Sequence, residues 1–426
     1  MSPLCLLLLG GLPAAASAPP ATLRYWIDGD GYGTVDRLGP LKGIANLGLV
    51  VGKPTNTKAC GSAFCDPSGG DSVLVQMQQA FDQFGVPSVA YAEMDCGGCG
   101  LGIMDKTPTS PPGPGVIKSM VGLDSHWQRN LDAFAAELAP FIANGSCAGI
   151  FICDECMSAG INYTAYDAVV SRFRSHFPRS SSGSSRRSPI IMANDALTFW
   201  RQMKHPATQK IPAGLDYWSF DFYDGFNINA SWEVAVVKAT YEAELFPRLH
   251  RGQRVFVVPG VFGCIPGGTP GHTIPSMAAQ AATVVDKLQK YVAWAATEPR
   301  IIGIHSWHFR NRSHHARERI ITGGSNAHSR RPHALPSTPS SLSLPPGETQ
   351  CGPVLTRPGH VCSATEYCCE AITLCLPRRI KAQMGSLCIA DPTNKILHAG
   401  HCPAWMGAAS MPKVVAAMRQ LSPAKG

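Results

Sequence analysis

Apolar and polar positions alternate along this chain in two different periods, and the alternation changes character near residue 310. From residue 22 to 309, short β-rich apolar runs are followed by longer stretches with apolar positions three and four apart. The runs predict strands at 23–27, 42–51, 88–95, 149–154, 189–194, 217–223, 254–258 and 301–307. The longer stretches predict helices at 72–84, 125–143, 163–177, 197–204, 231–250 and 276–297. Trp127, Leu131, Phe134, Leu138 and Phe141 illustrate the second period, a stripe that packs on a sheet. Repeated strand–helix units force parallel strands, and eight of them predict closure into a (β/α)8 TIM barrel. An open doubly wound sheet is the alternative.

Residues 310–350 lose periodicity and fill with Arg, His, Ser and Pro, which predicts a linker without fixed structure. A cysteine-dense unit follows at 351–402. Cys351, Cys362, Cys368, Cys369 and Cys375 are spaced Cys-x10-Cys-x5-Cys-Cys-x5-Cys, and Cys388 and Cys402 complete it. Such a unit is too small to hold itself by a core, so it predicts a disulfide scaffold. Residues 403–426 read as a C-terminal tail.

At the other end, the apolar run 4–9 and the small residues at 13–18 predict a secretory signal peptide over residues 1–18. Sixteen cysteines and sequons at Asn144, Asn162, Asn229 and Asn311 agree with an extracellular glycoprotein. The apolar run is too short for a membrane span. Net charge is +8, with many of the basic residues in 179–187 and 310–331. No aromatic residues interleave with them, so they predict solvated segments and not a nucleic-acid interface.

Chemistry-bearing residues gather at the carboxyl ends of the predicted strands, where (β/α)8 barrels carry their sites. The fourth strand ends in Asp154-Glu155. The others contribute Glu93 and Asp95, Asn194 and Asp195, Asp221, Tyr223 and Asp224, and His305 with Trp307. Glycoside cleavage needs a protonated acid and a second carboxylate across the scissile bond. Glu155 is the expected acid. Asp221 is its expected partner, with Asp224 next. Asp154, Glu93, Asp95, Asn194, Tyr223, His305 and Trp307 are expected substrate contacts, Trp307 as a stacking platform. Alternation on the sixth strand turns Trp218, Phe220 and Phe222 toward helices, and Tyr217, Ser219, Asp221 and Tyr223 toward the lumen. On the fourth strand it pairs Glu155 with Phe151 and Cys153, and Asp154 with Ile150 and Ile152.

Cys96-Gly97-Gly98-Cys99 and Cys153-Asp154-Glu155-Cys156 could together hold zinc, or form disulfides that stiffen the rim. Disulfides are the expectation for a secreted chain. Cys60 and Cys65 form a further short loop. His308, His314 and His315 read as solvated, and Asp28-Gly29-Asp30-Gly31 lacks the Glu that a calcium loop requires. Neither a metal nor a nucleotide cofactor is expected.

This layout resembles the glycoside hydrolase superfamily of (β/α)8 barrels, in which a Glu at the end of the fourth strand is commonly the acid. Asp154-Glu155 stands where retaining members carry Asn-Glu, while 255–260 lacks their second Glu. Tyr223-Asp224 and the strand ending in Trp307 are similar to family-eighteen chitinases. Phe151 and Cys153 replace two Asp of that family's fourth-strand motif. The unit at 351–402 loosely resembles hevein-like or knottin-like carbohydrate-binding modules. The resemblance implies a carbohydrate substrate and hydrolysis of glycosyl bonds. A non-catalytic carbohydrate-binding barrel and an extracellular structural protein are the alternatives.

Overall fold

A computed structural model describes residues 23–28, 42–51, 73–91, 102–108, 121–159, 161–179, 188–196, 210–222, 230–264, 276–307, 349–351, 360–362, 366–369, 374–377, 405–407 and 411–423. Eight strands form a closed barrel: β1 (Tyr25–Asp28), β2 (Leu47–Val51), β3 (Ser88–Tyr91), β4 (Cys147–Asp154), β5 (Ile190–Ala196), β6 (Tyr217–Phe222), β7 (Arg254–Pro259) and β8 (Ile301–Ser306). Each pairs in parallel with its sequence neighbour, and β1 pairs with β8 through Tyr25–Gly303 to Asp28–Ser306. All eight coincide with predicted apolar runs, and the open-sheet alternative is excluded by the β1–β8 ladder.

The alternation of each strand divides the core in two. Ile27, Leu49, Val89, Phe151, Met192 and Phe256 fill the lumen. Trp26, Ile150, Ile191, Trp218, Phe220 and Val257 face the helices. This is the layered interior expected of a packed barrel. The outer layer comprises α1 (Val73–Phe84), α2 (Trp127–Asn144), α3 (Cys156–Ala159), α4 (Tyr163–His176), α5 (Ala230–Thr240) and α6 (Met277–Thr297). The α2 stripe behaves as its spacing predicts, with Leu131, Phe134 and Leu138 buried. The helix predicted at 197–204 lies outside the described residues. No helix among the described residues is long and apolar enough to cross a membrane.

One glycine shapes the strand that carries the site. Gly149 has φ +156°, and a Cβ there would lie 2.0 Å from the Ile190 carbonyl oxygen. Its lack of a side chain lets β4 approach β5 closely.

Between α5 and α6 a buried Lys287 meets a buried Glu233 at 2.6 Å, and the Tyr291 hydroxyl donates to the same carboxylate. Lys287 also donates to the Gly260 carbonyl just past β7. Gly260 in turn bridges to Trp307 beyond β8, and the Trp307 amide donates to Pro259. The ion pair thus braces the backbone from which Trp307 projects.

Most of the predicted linker and the predicted signal peptide lie outside the described residues. Within 351–402 the backbone forms antiparallel pairs, Thr349–Cys351 with His360–Cys362 and Glu366–Cys369 with Leu374–Pro377. The cysteine side chains there are outside the described residues. The final stretch, read above as a tail, holds structure that belongs to the barrel. Trp405–Gly407 pairs antiparallel with Phe262–Cys264, just after β7. Helix α7 (Pro412–Leu421) then packs on α6, with Met411, Val414, Met418 and Leu421 buried in the helix-side core. The Ser422 hydroxyl donates to the Ile44 carbonyl, ahead of β2. Flanked by α6 and the approach to β2, α7 occupies the place of the barrel's closing helix.

Candidate active site at the carboxyl end of the barrel

Strand β4 delivers two carboxylates to the barrel mouth, and an irregularity decides which one faces inward. The ladder to β5 shifts between Phe151 and Cys153. Ile152 and Cys153 consequently both lie in the helix-side core, and Asp154 returns to the lumen opposite Asn194. The uninterrupted alternation that grouped Asp154 with Ile150 and Ile152 is corrected here: a β-bulge resets the parity of every residue beyond it.

Asp154 is held from both sides. Its Oδ2 accepts from the Tyr91 hydroxyl at 3.1 Å, and its Oδ1 from Asn194 Nδ2 at 3.0 Å. Asn194 Oδ1 accepts in turn from Ser219 Oγ at 2.8 Å. A hydrogen-bonded belt therefore crosses β3, β4, β5 and β6. Burial pushes the Asp154 pKa up, and the bonds from Asn194 and Tyr91 oppose that shift.

Glu155 follows in a left-handed backbone conformation, φ +55°. For a residue with a Cβ this geometry costs about 1–2 kcal/mol and persists only where surroundings impose it. Three contacts impose it here. The Glu155 amide donates to the Asn194 carbonyl at 2.9 Å. Cys153 and Cys156 are joined by a disulfide that spans the acidic pair. The Met157 amide donates to Asp195 Oδ2 at 3.1 Å, and Asp195 is fully buried on the helix side. Bridges across the third and fourth strand exits were expected; Cys153 and Cys156 are instead bonded to each other within the β4 exit. Among the described residues no cluster of His, Cys, Asp and Glu could hold a metal ion. Cys60, Cys65, Cys96 and Cys99 lie outside the described residues.

Strand β6 orients as its sequence predicts. Trp218, Phe220 and Phe222 lie in the helix-side core, while Tyr217 packs in the lumen and Ser219 joins the belt. Asp221 continues the Tyr217–Ser219 face, in register with Ala196 and Val258. On β8, His305 is buried beside Ile27, and Trp307 follows at the rim, partly exposed. A run of ring contacts crosses the lumen. Tyr91 stacks on Phe151 (5.0 Å, 12°), Phe151 meets His305 at 6.3 Å, and His305 meets Trp307 at 6.5 Å.

The structure thus brings Asp154, Glu155, Asn194, Asp221, His305 and Trp307 to one end of the barrel. Asn194 turns its amide onto Asp154, where a substrate contact was expected. Glu93, Asp95, Tyr223, Asp224 and His308 lie outside the described residues. Tyr91 and Ser219 join the site without having been assigned a role. Their signal was parity, since each shares a strand face with an expected site residue.

No protein family profile matches this chain, and no curated protein does. Solved structures to which it is similar include glycoside hydrolases. They include a GH2 β-galacturonidase from Eisenbergiella tayi, with 11% identity over 68% of this chain and 44% of that one, TM-score 0.39. A GH113 β-mannanase from Alicyclobacillus acidocaldarius aligns at 12% identity over 69% and 88%, TM-score 0.39. An endo-laminarinase from Formosa aligns at 10% identity over 67% and 77%, TM-score 0.41. The chain spans less than half the length of the galacturonidase. Alignments this loose decide neither fold nor activity, and the barrel rests on its own strand order and register.

Proposed function

We propose that this chain is a secreted, glycosidase-like hydrolase that cleaves O-glycosidic bonds of a polysaccharide or glycan by carboxylate acid/base chemistry. The observation that carries the reading is the left-handed backbone of Glu155 beside the lumen-facing Asp154. Strain fixed by a disulfide, a carbonyl and a buried carboxylate is the mark of a residue whose placement matters more than its stability. In this reading Glu155 gives its proton to the leaving oxygen as the C–O bond breaks. Asp221, from β6, acts on the opposite side as nucleophile or as the base that takes a proton from water. With Asp221 as nucleophile, a glycosyl–Asp221 ester forms, and water then cleaves it, its hydroxyl going to the sugar and its proton to Glu155. With Asp221 as base, water attacks directly, its hydroxyl going to the sugar and its proton to Asp221, and Glu155 is reprotonated from solvent. Asp154, Asn194 and Tyr91 form the polar wall beside the acid, and Trp307 offers a ring face to the sugar. The Cys153–Cys156 bond fits an oxidising, extracellular destination.

The test is hydrolysis of chitin, β-glucans and mannans by the protein and by Glu155→Gln. Turnover on one of them that falls at least ~100-fold in the variant supports the reading, since general acid catalysis contributes about 10²–10⁴. Binding without turnover in either protein would replace it with the carbohydrate-binding barrel. The absence of both binding and turnover would refute it.

A further inference from the structure

His305, expected from the sequence to touch substrate, is a buried polar group. It is 3% exposed, on the lumen side of β8 beside Ile27, and neither ring nitrogen has a partner among the described residues. Its ring sits edge-on to both Phe151 (77°) and Trp307 (89°). An unpaired buried donor or acceptor costs about 1–3 kcal/mol. Such groups are rare in folded proteins and call for a specific explanation.

We propose that His305 hydrogen-bonds a hydroxyl of a neutral sugar unit seated on the aromatic floor, so that neutral glycans and not uronates are the substrate class. The proposal rests on the glycosidase reading above. Burial holds the imidazole uncharged, with its pKa pushed down to about 4. A neutral imidazole offers one donor and one acceptor, which is the complement of a hydroxyl. It offers no charge to a carboxylate. The β6 exit adds Asp221, the carboxylate that the reading above keeps ionised, while Glu155 carries the proton it will donate. Lys287, near the same end, is paired with Glu233. A uronate would therefore meet like charge, at a cost that the imidazole does not offset. The ring of Trp307, partly exposed at the rim, supplies the apolar face against which a sugar's C–H surface packs.

The experiment is calorimetric titration of the full chain, His305→Phe and His305→Gln with cello-, manno- and laminari-oligosaccharides and with oligogalacturonate. The expected result is binding of a neutral oligosaccharide that weakens at least ~10-fold in His305→Phe, the size of one lost hydrogen bond. His305→Gln, which keeps a donor and an acceptor, recovers part of the loss. Unchanged affinity in a cooperatively folding His305→Phe overturns the proposal. So does oligogalacturonate binding tighter than every neutral oligosaccharide, or the absence of binding to any of them. Binding is read separately from turnover. An active enzyme indifferent to His305→Phe keeps the glycosidase and loses this proposal. His305-dependent binding without hydrolysis does the reverse.

Discussion

The unpartnered imidazole makes a prediction about stability as well as about ligands. In the unfolded chain His305 titrates near its ordinary value of 6.5, and in the folded protein only near 4. Between those values the unfolded state holds a proton that the folded state refuses, so stability falls as pH falls through that window. At about 1.4 kcal/mol per unit, the full loss is about 3 kcal/mol. His305→Phe keeps a ring of similar size, removes the titration and removes two unpaired nitrogens. The variant should match or exceed the natural protein at pH 7 and exceed it by about 3 kcal/mol more at pH 4. Urea unfolding of both proteins at the two pH values reads this directly. Other carboxylates that titrate, including Asp132, held near 2 by the Arg172 and His176 beside it, are common to both and cancel in the difference. A gap between the two proteins that is the same at pH 7 and pH 4 would refute the reasoning.

Two further outcomes follow from packing. Lys287→Met strands Glu233 in the core and should lower stability by about 3–5 kcal/mol, while Lys287→Met with Glu233→Gln should recover most of it; a double-mutant cycle by urea unfolding measures the coupling. A chain ending at residue 410 loses the burial of Met411, Val414, Met418 and Leu421, worth about 6–12 kcal/mol against a typical total of 5–15. It should show neither native near-ultraviolet circular dichroism nor a cooperative transition.

The barrel was legible because each strand is an apolar run with its own boundary, and because helical stripes such as Leu131, Phe134 and Leu138 are regular. At the mouth, the strands ending in Asp154-Glu155, Asn194, Asp221 and His305 emerge at one end of the barrel, as their boundaries predict. Orientation at the β4 exit was not, since alternation counted through Phe151 and Cys153 assumes a regular ladder and the bulge breaks it. The closing helix was missed for a different reason. Met411, Val414, Met418 and Leu421 have helical spacing, but local pattern does not say that a segment so far from β8 in sequence returns to it. The Lys287–Glu233 pair was invisible for the same cause, being a contact between two helices and not a pattern on either.

The late position of α7 has a consequence for how the protein is made. About a hundred residues separate β8 from the helix that closes the barrel, and at ribosomal speeds of about 5–20 residues per second they take roughly 5–20 s to appear. A long loop adds little to the final free energy, because each doubling costs only about 0.6 kcal/mol. During those seconds, however, the seam between α6 and the approach to β2 is uncovered, and the apolar side of α6 that α7 will cover faces water. The cysteines of 351–402 emerge inside this same interval. The newborn chain must therefore keep a nearly finished barrel from sticking to its neighbours, which makes expression yield and not catalytic rate the property most exposed to changes in the last dozen described residues.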